Sequence, residues 1–276
     1  MSTTFRKTLF LALRRAGEFI RKNFDRPHRV SFKNKSPINL VTWVDQAADR
    51  LIRGTIQKRY PQHDFLTEES TPTHRGSPYK WIIDPLDGTT NFAHHYPQVG
   101  VSIGLEDRGT IVLGGVYDPF RDELFWAEKG GGAWLEQAGR RRRIHVSATR
   151  QLTKSLLLTG FPYDRRERAD FYLSYVRAFL AYIQGIRRAG AAALDLCWVA
   201  CGRVDGYWEW RLKPWDSAAG KLIVEEAGGR LSDFSGRPFT LYGKQTLATN
   251  SRIHREMLRV MRRVARAAAR RKVRTR

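Results

Sequence analysis

The amino-terminal part of the chain alternates apolar and charged residues with the period of a helix. Six apolar positions within residues 4–24 lie three or four apart, with arginines between them: Phe5, Leu9, Leu13, Ala16, Ile20 and Phe24. This pattern predicts an amphipathic first helix. Residues 42–60 show the same period and predict a second helix, and a polar loop at residues 33–37 lies between the two.

Short runs rich in β-branched and aromatic residues follow, and turn residues separate them. An apolar run at residues 81–83 predicts a buried strand, with a shorter strand before it at residues 63–67. Further strands are predicted at residues 98–105, 110–117, 123–127 and 132–135. Since Gly, Pro and Asp turns connect these later runs, we predict an antiparallel meander.

Beyond residue 142 the pattern changes to strands that alternate with helices. Strands are predicted at residues 156–159, 185–187 and 206–210, and helices at residues 166–182, 191–201 and 216–227. This alternation is typical of a sheet that is covered by helices. A last helix with a narrow apolar stripe is predicted from residue 252. We therefore predict two packed halves, an α+β half at residues 1–142 and an α/β half at residues 143–276.

The charge of the chain indicates affinity for polyanions. It has 49 Lys and Arg against 27 Asp and Glu, a formal net charge of +22. Residues 252–276 hold eleven of these basic residues and one Glu, and residues 140–143 are four arginines. Such a balance favours nucleic acid, an acidic protein or anionic lipid as a partner. The alternative is a solvated, arginine-rich surface without a partner.

Other features of the composition restrict the location of the protein. No run approaches the roughly 18 apolar residues that a membrane span needs, so no membrane partner is expected. The first 20 residues lack the uninterrupted apolar core of a secretion signal. The two cysteines, Cys197 and Cys201, lie in an apolar segment and are expected to pack in the core. These features predict a protein of a reducing compartment, the cytoplasm.

The end of the predicted strand at residues 81–83 carries candidate chemistry. Asp84 and Asp87 flank a Pro-Leu pair, Gly88 follows, and residues 89–91 are good helix-capping residues. Two hard oxygen ligands beside a helix start suit a metal-dependent phosphate site. The alternative is a tight turn in which the aspartates accept hydrogen bonds from backbone amides.

Two other segments also place acids at the ends of predicted elements. Glu68 and Glu69 follow the strand at residues 63–67, and Asp216 is the first residue of the helix at residues 216–227. Because the donors are all oxygen, Mg²⁺ is favoured over zinc. Structural alternatives are a helix cap for Asp216 and favourable helix-dipole electrostatics for Asp45.

Four segments of the chain resemble the inositol monophosphatase family. They are residues 40–45 (LVTWVD), 68–70 (EES), 84–92 (DPLDGTTNF) and 215–220 (WDSAAG), and their order and spacing match the family as well. Details such as residues 159–162 (TGFP) are most similar to its bacterial SuhB-type branch. The resemblance implies a layered αβαβα sandwich of the α+β class.

The resemblance also implies a set of metal ligands. Glu68, Asp84 and the Leu86 carbonyl would hold a first Mg²⁺, and Asp84, Asp87 and Asp216 a second. A third and weaker ion would be bound by Glu68 and water. Most of these ligands lie in the first predicted half.

Catalytic and substrate-binding roles follow from the same resemblance. Thr89 would help to activate the attacking water, with Asp45 orienting its hydroxyl and Glu68 nearby. The residues implied to bind substrate are Glu68, Leu86, Asp87, Gly88, Thr89, Gly190, Ala191, Ala192, Glu209 and Asp216. Of these, the Gly88 and Thr89 amides would bind phosphate oxygens. Gly190, Ala191, Ala192 and Glu209 would contact the polyol.

These observations predict a Mg²⁺-dependent phosphatase. The expected substrate is inositol 1-phosphate or a similar small polyol phosphate, hydrolysed by a metal-activated water without a covalent intermediate. Alternatives are a phosphatase of fructose 1,6-bisphosphate or 3′-phosphoadenosine 5′-phosphate, and a role in binding RNA or a transcription complex, which SuhB-type relatives suggest. The resemblance implies a homodimer.

Some residues depart from the family pattern or fit it loosely. The region of Lys35 is one residue shorter than in some relatives, so Lys35 is left out of the site. Arg211 and Lys213 add positive charge near Glu209 and favour anionic substrates. His94 and His95 are expected to be solvated loop residues.

Overall fold

The computed structural model describes residues 3–26, 30–32 and 40–274, and the side chains of the last helix as far as residue 267. The predicted loop at residues 33–37, including Lys35, lies outside the described residues. So do the side chains of the basic residues from Arg270 to Arg276.

The described residues form seven helices and fourteen strands. The helices are α1 (Thr3–Asn23), α2 (Trp43–Gln57), α3 (Thr89–Ala93), α4 (Ala169–Leu180), α5 (Ala192–Ala200), α6 (Pro214–Glu226) and α7 (His254–Arg274). The strands are β1 (Val30–Phe32), β2 (Leu40–Thr42), β3 (Asp64–Thr67), β4 (Tyr79–Asp87), β5 (Gly100–Asp107), β6 (Thr110–Asp118), β7 (Glu123–Glu128), β8 (Gly132–Gln137), β9 (Arg140–Ile144), β10 (Leu156–Thr159), β11 (Gly185–Arg187), β12 (Gly206–Trp210), β13 (Arg230–Ser232) and β14 (Gln245–Thr249). Within this part of the chain, no helix combines the length and the apolarity needed to cross a membrane.

Two large sheets organise the molecule. The first has the order β3-β4-β5-β6-β7-β8-β9 and is antiparallel except for the β3–β4 pair. The second has the order β11-β10-β12-β14-β13, in which β10 runs parallel to both of its neighbours and β14 runs antiparallel to β12 and β13. The predicted meander is confirmed, and the second half contains a mixed sheet.

The buried apolar residues form three clusters, because successive side chains of the central strands point to opposite faces of each sheet. In β4, Trp81 and Ile83 pack under α1 and α2, whereas Ile82 faces α5 and α6. In β10, Leu158 faces α5 and α6 from the other side, and Leu157 packs against α4 and α7. Because successive side chains of a strand point to opposite faces, each sheet is covered on both sides by helices. The predicted αβαβα sandwich is confirmed.

The structure differs from the sequence predictions in its strands. Strand β9 was not predicted, because its four arginines show no apolar alternation; its pairing with β8 places it at the edge of the sheet. Strands β13 and β14 were also missed. They are short, and β14 pairs with β13 on one side and with β12, 35 positions earlier in the sequence, on the other.

Helix α6 begins two residues earlier than the sequence predicts. Lys213 is its N-cap residue. Pro214 is its first helical residue, a position that proline tolerates well. Asp216 is therefore the third helical residue and not the N-cap. Its carboxylate accepts a hydrogen bond from the Lys213 backbone amide at 2.6 Å.

The boundary predicted at residues 142 and 143 lies within β9, the last strand of the first sheet. Helix α6 of the second half packs on strands β5, β6 and β7 of the first sheet. Helices α5 and α6 form the layer between the sheets, and α4 and α7 cover the outer face of the second sheet. The division into two halves thus stays a prediction.

Glycines allow α6 to approach the first sheet closely. A methyl group at Gly114 of β6 would lie 2.9 Å from the Cα atom and 3.1 Å from the carbonyl oxygen of Ala219. These neighbours are backbone atoms, so the helix itself would have to move. By contrast, a methyl group at Gly54 of α2 would meet nothing within 4 Å.

We predict opposite effects of alanine at these two glycines. Gly114→Ala should lower the free energy of unfolding by about 1–3 kcal/mol, because overpacking displaces a buried helix. Gly54→Ala should raise it by about 0.5–1 kcal/mol, since alanine reduces the freedom of the unfolded chain without a clash. Urea unfolding followed by circular dichroism measures both values. Equal effects of the two substitutions would contradict the proposed packing.

Candidate active site

The end of β4 is irregular, and this irregularity presents its aspartates. Pairing with β5 is regular as far as Asp84 opposite Ser102, and the register then shifts before Asp87 pairs with Gly100. The Asp84 carboxylate accepts a hydrogen bond from the Leu86 amide at 3.1 Å. Gly88 then adopts a φ of 93°, which side chains disfavour, and α3 begins.

Parallel pairing places Glu68 beside Asp84. Strands β3 and β4 run in the same direction, with Thr67 opposite Ile83, so both strands end at the same edge. The Glu68 amide donates to the Ile83 carbonyl at 3.2 Å, which extends the alignment by one residue. Two acids that are 16 positions apart in the sequence thus become neighbours because of strand direction.

A contact from β5 places Asp216 at the same edge. The Ser102 hydroxyl, on the strand position that pairs with Asp84, donates to the Trp215 carbonyl at 3.3 Å. Trp215 precedes Asp216 in the first turn of α6. The start of α6 is therefore held next to the end of β4.

The amino end of α5 binds Asp87. The Ala193 amide donates to the Asp87 carboxylate at 2.7 Å, and the Ala192 amide also contributes. Burial nevertheless raises the pKa of Asp87 to about 7, helped by the nearby charges of Glu68 and Glu209. The helix amides favour the ionised carboxylate, and burial among other carboxylates opposes it.

A cavity of about 690 Å³ lies where these elements meet. Of the residues predicted for the site, the following line it: Glu68, Asp84, Leu86, Asp87, Gly88, Thr89, Gly190, Ala192, Glu209 and Asp216. Two predicted residues, Asp45 and Ala191, do not line the cavity. The structure thus brings most of the predicted set together from segments that are far apart in the sequence.

Asp45 contacts Thr89 from behind the cavity wall. The Thr89 hydroxyl donates to one Asp45 oxygen at 2.9 Å, with the Leu86 carbonyl as a second neighbour at 3.2 Å. The other Asp45 oxygen accepts hydrogen bonds from the Thr42 amide and hydroxyl at 2.8 and 2.6 Å, as part of the cap of α2. Burial raises the pKa of Asp45, whereas these hydrogen bonds act in the opposite direction. Both sequence interpretations of Asp45 are therefore compatible with its position.

Glu209 of β12 also lines the cavity. The Tyr207 hydroxyl donates to it at 2.5 Å, and burial raises the pKa of Glu209 to about 6. A side chain at position 160 would overlap the Glu209 carboxylate, because a Cβ atom there would lie 1.9 Å from its oxygen. Gly160 is thus needed to make room for Glu209.

The remaining predicted residues have local roles. Ala191 is buried at the start of α5, and its methyl group would lie 3.4 Å from a Cβ atom at Gly88. The His95 ring contacts the Phe24 carbonyl at 2.8 Å, and neither His94 nor His95 lines the cavity. Both cysteines are unpaired by disulfides, and burial raises the pKa of the Cys197 thiol.

Asn91 ties the two sides of the site together and was not predicted as a site residue. Its amide nitrogen donates to the Gln98 carbonyl at 2.7 Å and to the Ala189 carbonyl at 2.9 Å. Asn91 belongs to the segment at residues 84–92 and was considered only as a capping residue. Its partner at Ala189, 98 positions away, could not be recognised from local spacing.

Several residues that were not predicted for the site also line the cavity. They are Phe161, Pro162, Tyr163, Asp164, Arg165 and Arg188, and they lie there together with Arg211 and Lys213. The motif at residues 159–162 was the available signal for Phe161 and Pro162, but it did not indicate which side chains enter the cavity.

The donor set fits a hard divalent cation. Glu68, Asp84, Asp87 and Asp216 supply carboxylates and Leu86 a carbonyl, with no His or Cys among the cavity residues. Burial, followed by the charges of Glu68 and Asp87, raises the pKa of Asp216 well above its usual value. Within the described ranges, no three His, Cys, Asp or Glu side chains are already grouped to hold a metal ion. The site therefore suits a cation for two reasons: its candidate ligands are oxygen atoms, and a cation would relieve the repulsion among its carboxylates.

A five-layer sandwich with an acidic cavity at the strand ends is consistent with a phosphatase. The chain belongs to the inositol monophosphatase family, whose model matches residues 1–266.

Three relatives illustrate this membership. The chain is 44% identical over 253 residues to the Nus factor SuhB of Salmonella typhimurium, covering 91% of this chain and 93% of that protein. It is 49% identical over 220 residues to the inositol-1-monophosphatase of Synechocystis, covering 79% and 75%. Its structure matches the extragenic suppressor protein suhB of Bartonella henselae with a TM-score of 0.88 at 39% identity, covering 94% and 98%.

We predict that Asn91 is required for the stability of the site. Asn91→Leu should lower the free energy of unfolding by about 1–3 kcal/mol, because two buried carbonyls lose their donor. Thr90→Ala, at an exposed position of the same helix, should change it by less than about 0.5 kcal/mol. Urea unfolding of both variants tests this difference, and a Thr90→Ala effect as large as that of Asn91→Leu would argue against it.

Proposed function

We propose that this protein is a Mg²⁺-dependent phosphomonoesterase that acts on inositol 1-phosphate or a similar small polyol phosphate. The observation that carries the proposal is the convergence of Glu68, Asp84, Asp87 and Asp216 on one cavity that also contains the Thr89 hydroxyl. Family membership supports phosphatase chemistry, and the name of the Synechocystis relative supports the substrate.

The carboxylates of the cavity would bind two to three Mg²⁺ ions. Glu68, Asp84 and the Leu86 carbonyl would hold one ion, and Asp87 and Asp216 would share another with Asp84. When bound, Mg²⁺ would neutralise the phosphate dianion, lower the pKa of the attacking water and stabilise the leaving alkoxide.

Thr89 and Asp45 would orient the nucleophile. The Thr89 hydroxyl donates its hydrogen bond to the Asp45 carboxylate. A lone pair of the Thr89 oxygen can therefore accept a hydrogen bond from water. Glu68 would accept a proton from the same water. The Gly88 and Thr89 amides, at the turn into α3, would donate to phosphate oxygens.

Glu209 would recognise the alcohol. Its position beside Tyr207 leaves one carboxylate oxygen to accept hydrogen bonds from ring hydroxyls. Gly190 and Ala192 line the same part of the cavity with no bulky side chain, so a ring can approach their backbone. Ala191 would contribute through its place in the same loop.

Substitutions at Asp87 and Thr89 test the mechanism. Asp87→Asn should lower kcat/KM for inositol 1-phosphate by at least about 100-fold, or about 3 kcal/mol, since a proposed metal ligand loses its charge. Thr89→Val should have a similar effect, whereas Thr89→Ser keeps the hydroxyl and should remain within about tenfold of the native enzyme. Phosphate release at varied Mg²⁺ gives these values.

The controls separate chemistry from folding. Glu167→Gln removes an acid at an exposed position outside the cavity and should leave kcat/KM unchanged. Thermal unfolding should show that Asp87→Asn is at least as stable as the native protein, because a buried repulsive charge is removed. A loss below tenfold for Asp87→Asn or Thr89→Val would refute the proposed roles. Parallel assays with fructose 1,6-bisphosphate and 3′-phosphoadenosine 5′-phosphate decide among the substrates.

A second proposed function is binding of RNA or a transcription complex through the basic surface. The four arginines of β9 are exposed, and among the described residues none of them forms an ion pair with a carboxylate. The guanidinium of Arg141 lies 4.9 Å from the centre of the Trp134 ring, an arrangement that can also stack a base. The Salmonella relative bears the name Nus factor.

Salt-dependent RNA binding tests this second function. Replacing Arg140, Arg141, Arg142 and Arg143 with Gln should weaken binding to single-stranded RNA, and the slope of log K against log salt should fall by about 0.7 per lost phosphate contact. Deletion of residues 270–276 tests the tail in the same assay. Both variants should retain phosphatase activity, and the four arginines of β9 do not line the cavity. RNA binding that is insensitive to salt, or that survives both changes, would exclude this basic surface.

A further inference from the structure

Two buried acids lie on the same face of α2. Asp45 and Asp49 are four positions apart, about one helical turn, and each is 1% exposed. The Asp45 carboxylate contacts the Thr89 hydroxyl in the cavity wall. Asp49 does not line the cavity, and the proposed mechanism gives it no role. A second buried acid on the face that α2 turns toward the site therefore needs an explanation.

Asp49 binds the segment that carries Glu68. The Ser70 hydroxyl donates to the Oδ2 atom of Asp49, and the Arg53 guanidinium donates to the Ser70 hydroxyl at 2.6 Å. Arg53 also forms an ion pair with the same Asp49 oxygen at 3.4 Å. Residues 68–70 follow the end of β3, so these contacts connect that strand end to α2.

The backbone on both sides of the Glu68 side chain is fixed as well. The Glu68 amide donates to the Ile83 carbonyl at 3.2 Å, on the strand that carries Asp84. The Ser70 amide donates to the Thr67 hydroxyl at 3.0 Å. Glu68 thus lies in a short bend that is held at three points, twice through the backbone and once through the Ser70 side chain.

The stability of the fold does not account for this network. Among the described residues, the Oδ1 atom of Asp49 and the Nε atom of Arg53 are buried without a hydrogen-bond partner. Buried polar atoms without partners lower stability. Apolar side chains in place of such a buried pair are often neutral or stabilising. The acid at position 49 is therefore better explained by the segment that it holds.

Helix α2 is a rigid support for the contact. Its buried apolar residues pack in the same cluster as Ile83 of β4. Burial raises the pKa of Asp45, and the charge of Glu68 raises it further, so the Glu68 carboxylate lies near the first turn of α2. The helix thus contacts two parts of the site from behind, through two acids one turn apart.

We propose that Asp49 and Ser70 are positioning residues for Glu68, and that they set the affinity of the Mg²⁺ ion that Glu68 would bind. Asp49 would fix the Ser70 side chain, and with it the bend that directs the Glu68 carboxylate into the cavity. Groups that orient a metal ligand typically contribute about ten- to hundredfold to metal affinity. This inference rests on the proposed function and adds two residues that do not line the cavity.

Removal of the Ser70 hydroxyl tests this role. Calorimetric titration of Mg²⁺ into the native protein and into Glu68→Gln and Asp216→Asn assigns the binding steps to the two proposed ions. Ser70→Ala should weaken the step that depends on Glu68 by about tenfold or more, and should leave the step that depends on Asp216 within about threefold of its native affinity. Ser70→Thr keeps the hydroxyl and should bind Mg²⁺ within about threefold of the native protein.

Thr71 provides the matched control. It is the next residue, it is exposed, and alanine at this position also removes one hydroxyl. Thr71→Ala should keep the native Mg²⁺ affinity in both steps. The titrations are carried out at a temperature at which circular dichroism shows every variant to be folded. Equal Mg²⁺ affinities of Ser70→Ala and Thr71→Ala would overturn the proposal.

A double-mutant cycle tests whether Asp49 acts through Ser70. Asp49→Asn keeps the shape of the side chain, removes its charge, and should weaken the step that depends on Glu68 by about tenfold. The variant with both Asp49→Asn and Ser70→Ala should bind Mg²⁺ within about threefold of the weaker single variant, because both changes interrupt the same contact. Additive losses, or no loss in Asp49→Asn, would overturn the assignment of Asp49.

Phosphatase assays separate this inference from the proposed function. With inositol 1-phosphate, Ser70→Ala should need about tenfold more Mg²⁺ for half-maximal activity, and its kcat at saturating Mg²⁺ should be within about threefold of the native value. A kcat that stays low at saturating Mg²⁺ would overturn a role in metal affinity.

The two proposals fail in different ways. If the native protein binds Mg²⁺ but hydrolyses no phosphate ester, the proposed function fails, and the titrations still decide the role of Ser70. If the native protein is an active phosphatase and Ser70→Ala binds Mg²⁺ with native affinity, only the positioning role fails. Absence of Mg²⁺ binding to the native protein would overturn both.

Discussion

The hydrogen bond between the α5 amides and Asp87 is the interaction on which the site depends. It joins the end of a strand in the first sheet to a helix that packs against the second sheet. Through it, Asp84 and Asp87 on one side meet Glu209 and the Gly190 loop on the other. The cost is a buried carboxylate whose pKa is raised to about 7, so the site concentrates charge that the protein alone does not neutralise.

Close packing supports this charged centre. The segment at residues 215–220 has two functions, because Asp216 faces the cavity and the small residues after it allow α6 to approach its neighbours. A Cβ atom at Gly104 would lie 3.0 Å from the Ala218 methyl group, and one at Gly220 would lie 2.6 Å from Leu196. The signature thus combines a proposed ligand with the packing that fixes its position.

Repulsion among buried carboxylates is the main electrostatic feature of the cavity. Burial raises the pKa of both Asp87 and Asp216, and the charges of Glu68 and Glu209 raise it further. A bound cation would relieve this repulsion. Arg211, which pairs with Asp164, shows that a basic residue at a cavity rim is not necessarily available to a ligand.

Local pattern was sufficient to predict the elements whose burial is periodic. The first two helices, the meander and the apolar stripe of α7 were predicted because their apolar positions repeat with the period of the element that buries them. The segments at residues 84–92 and 215–220 contain six of the ten predicted residues that line the cavity, since ligand chemistry restricts residue type within a short stretch. Strand β9 was missed because its formation depends on pairing with β8 and not on its own arginines.

Tertiary structure determined which residues that are far apart in the sequence become neighbours. Parallel pairing of β3 with β4 brought Glu68 to Asp84, and the contact between Ser102 and Trp215 brought Asp216 to the same edge. It also determined that Asp45 lies behind Thr89. The sequence by itself determined which residue types were present and the local elements that carry them. Their mutual distances follow from strand direction and helix packing, which depend on contacts between residues dozens of positions apart.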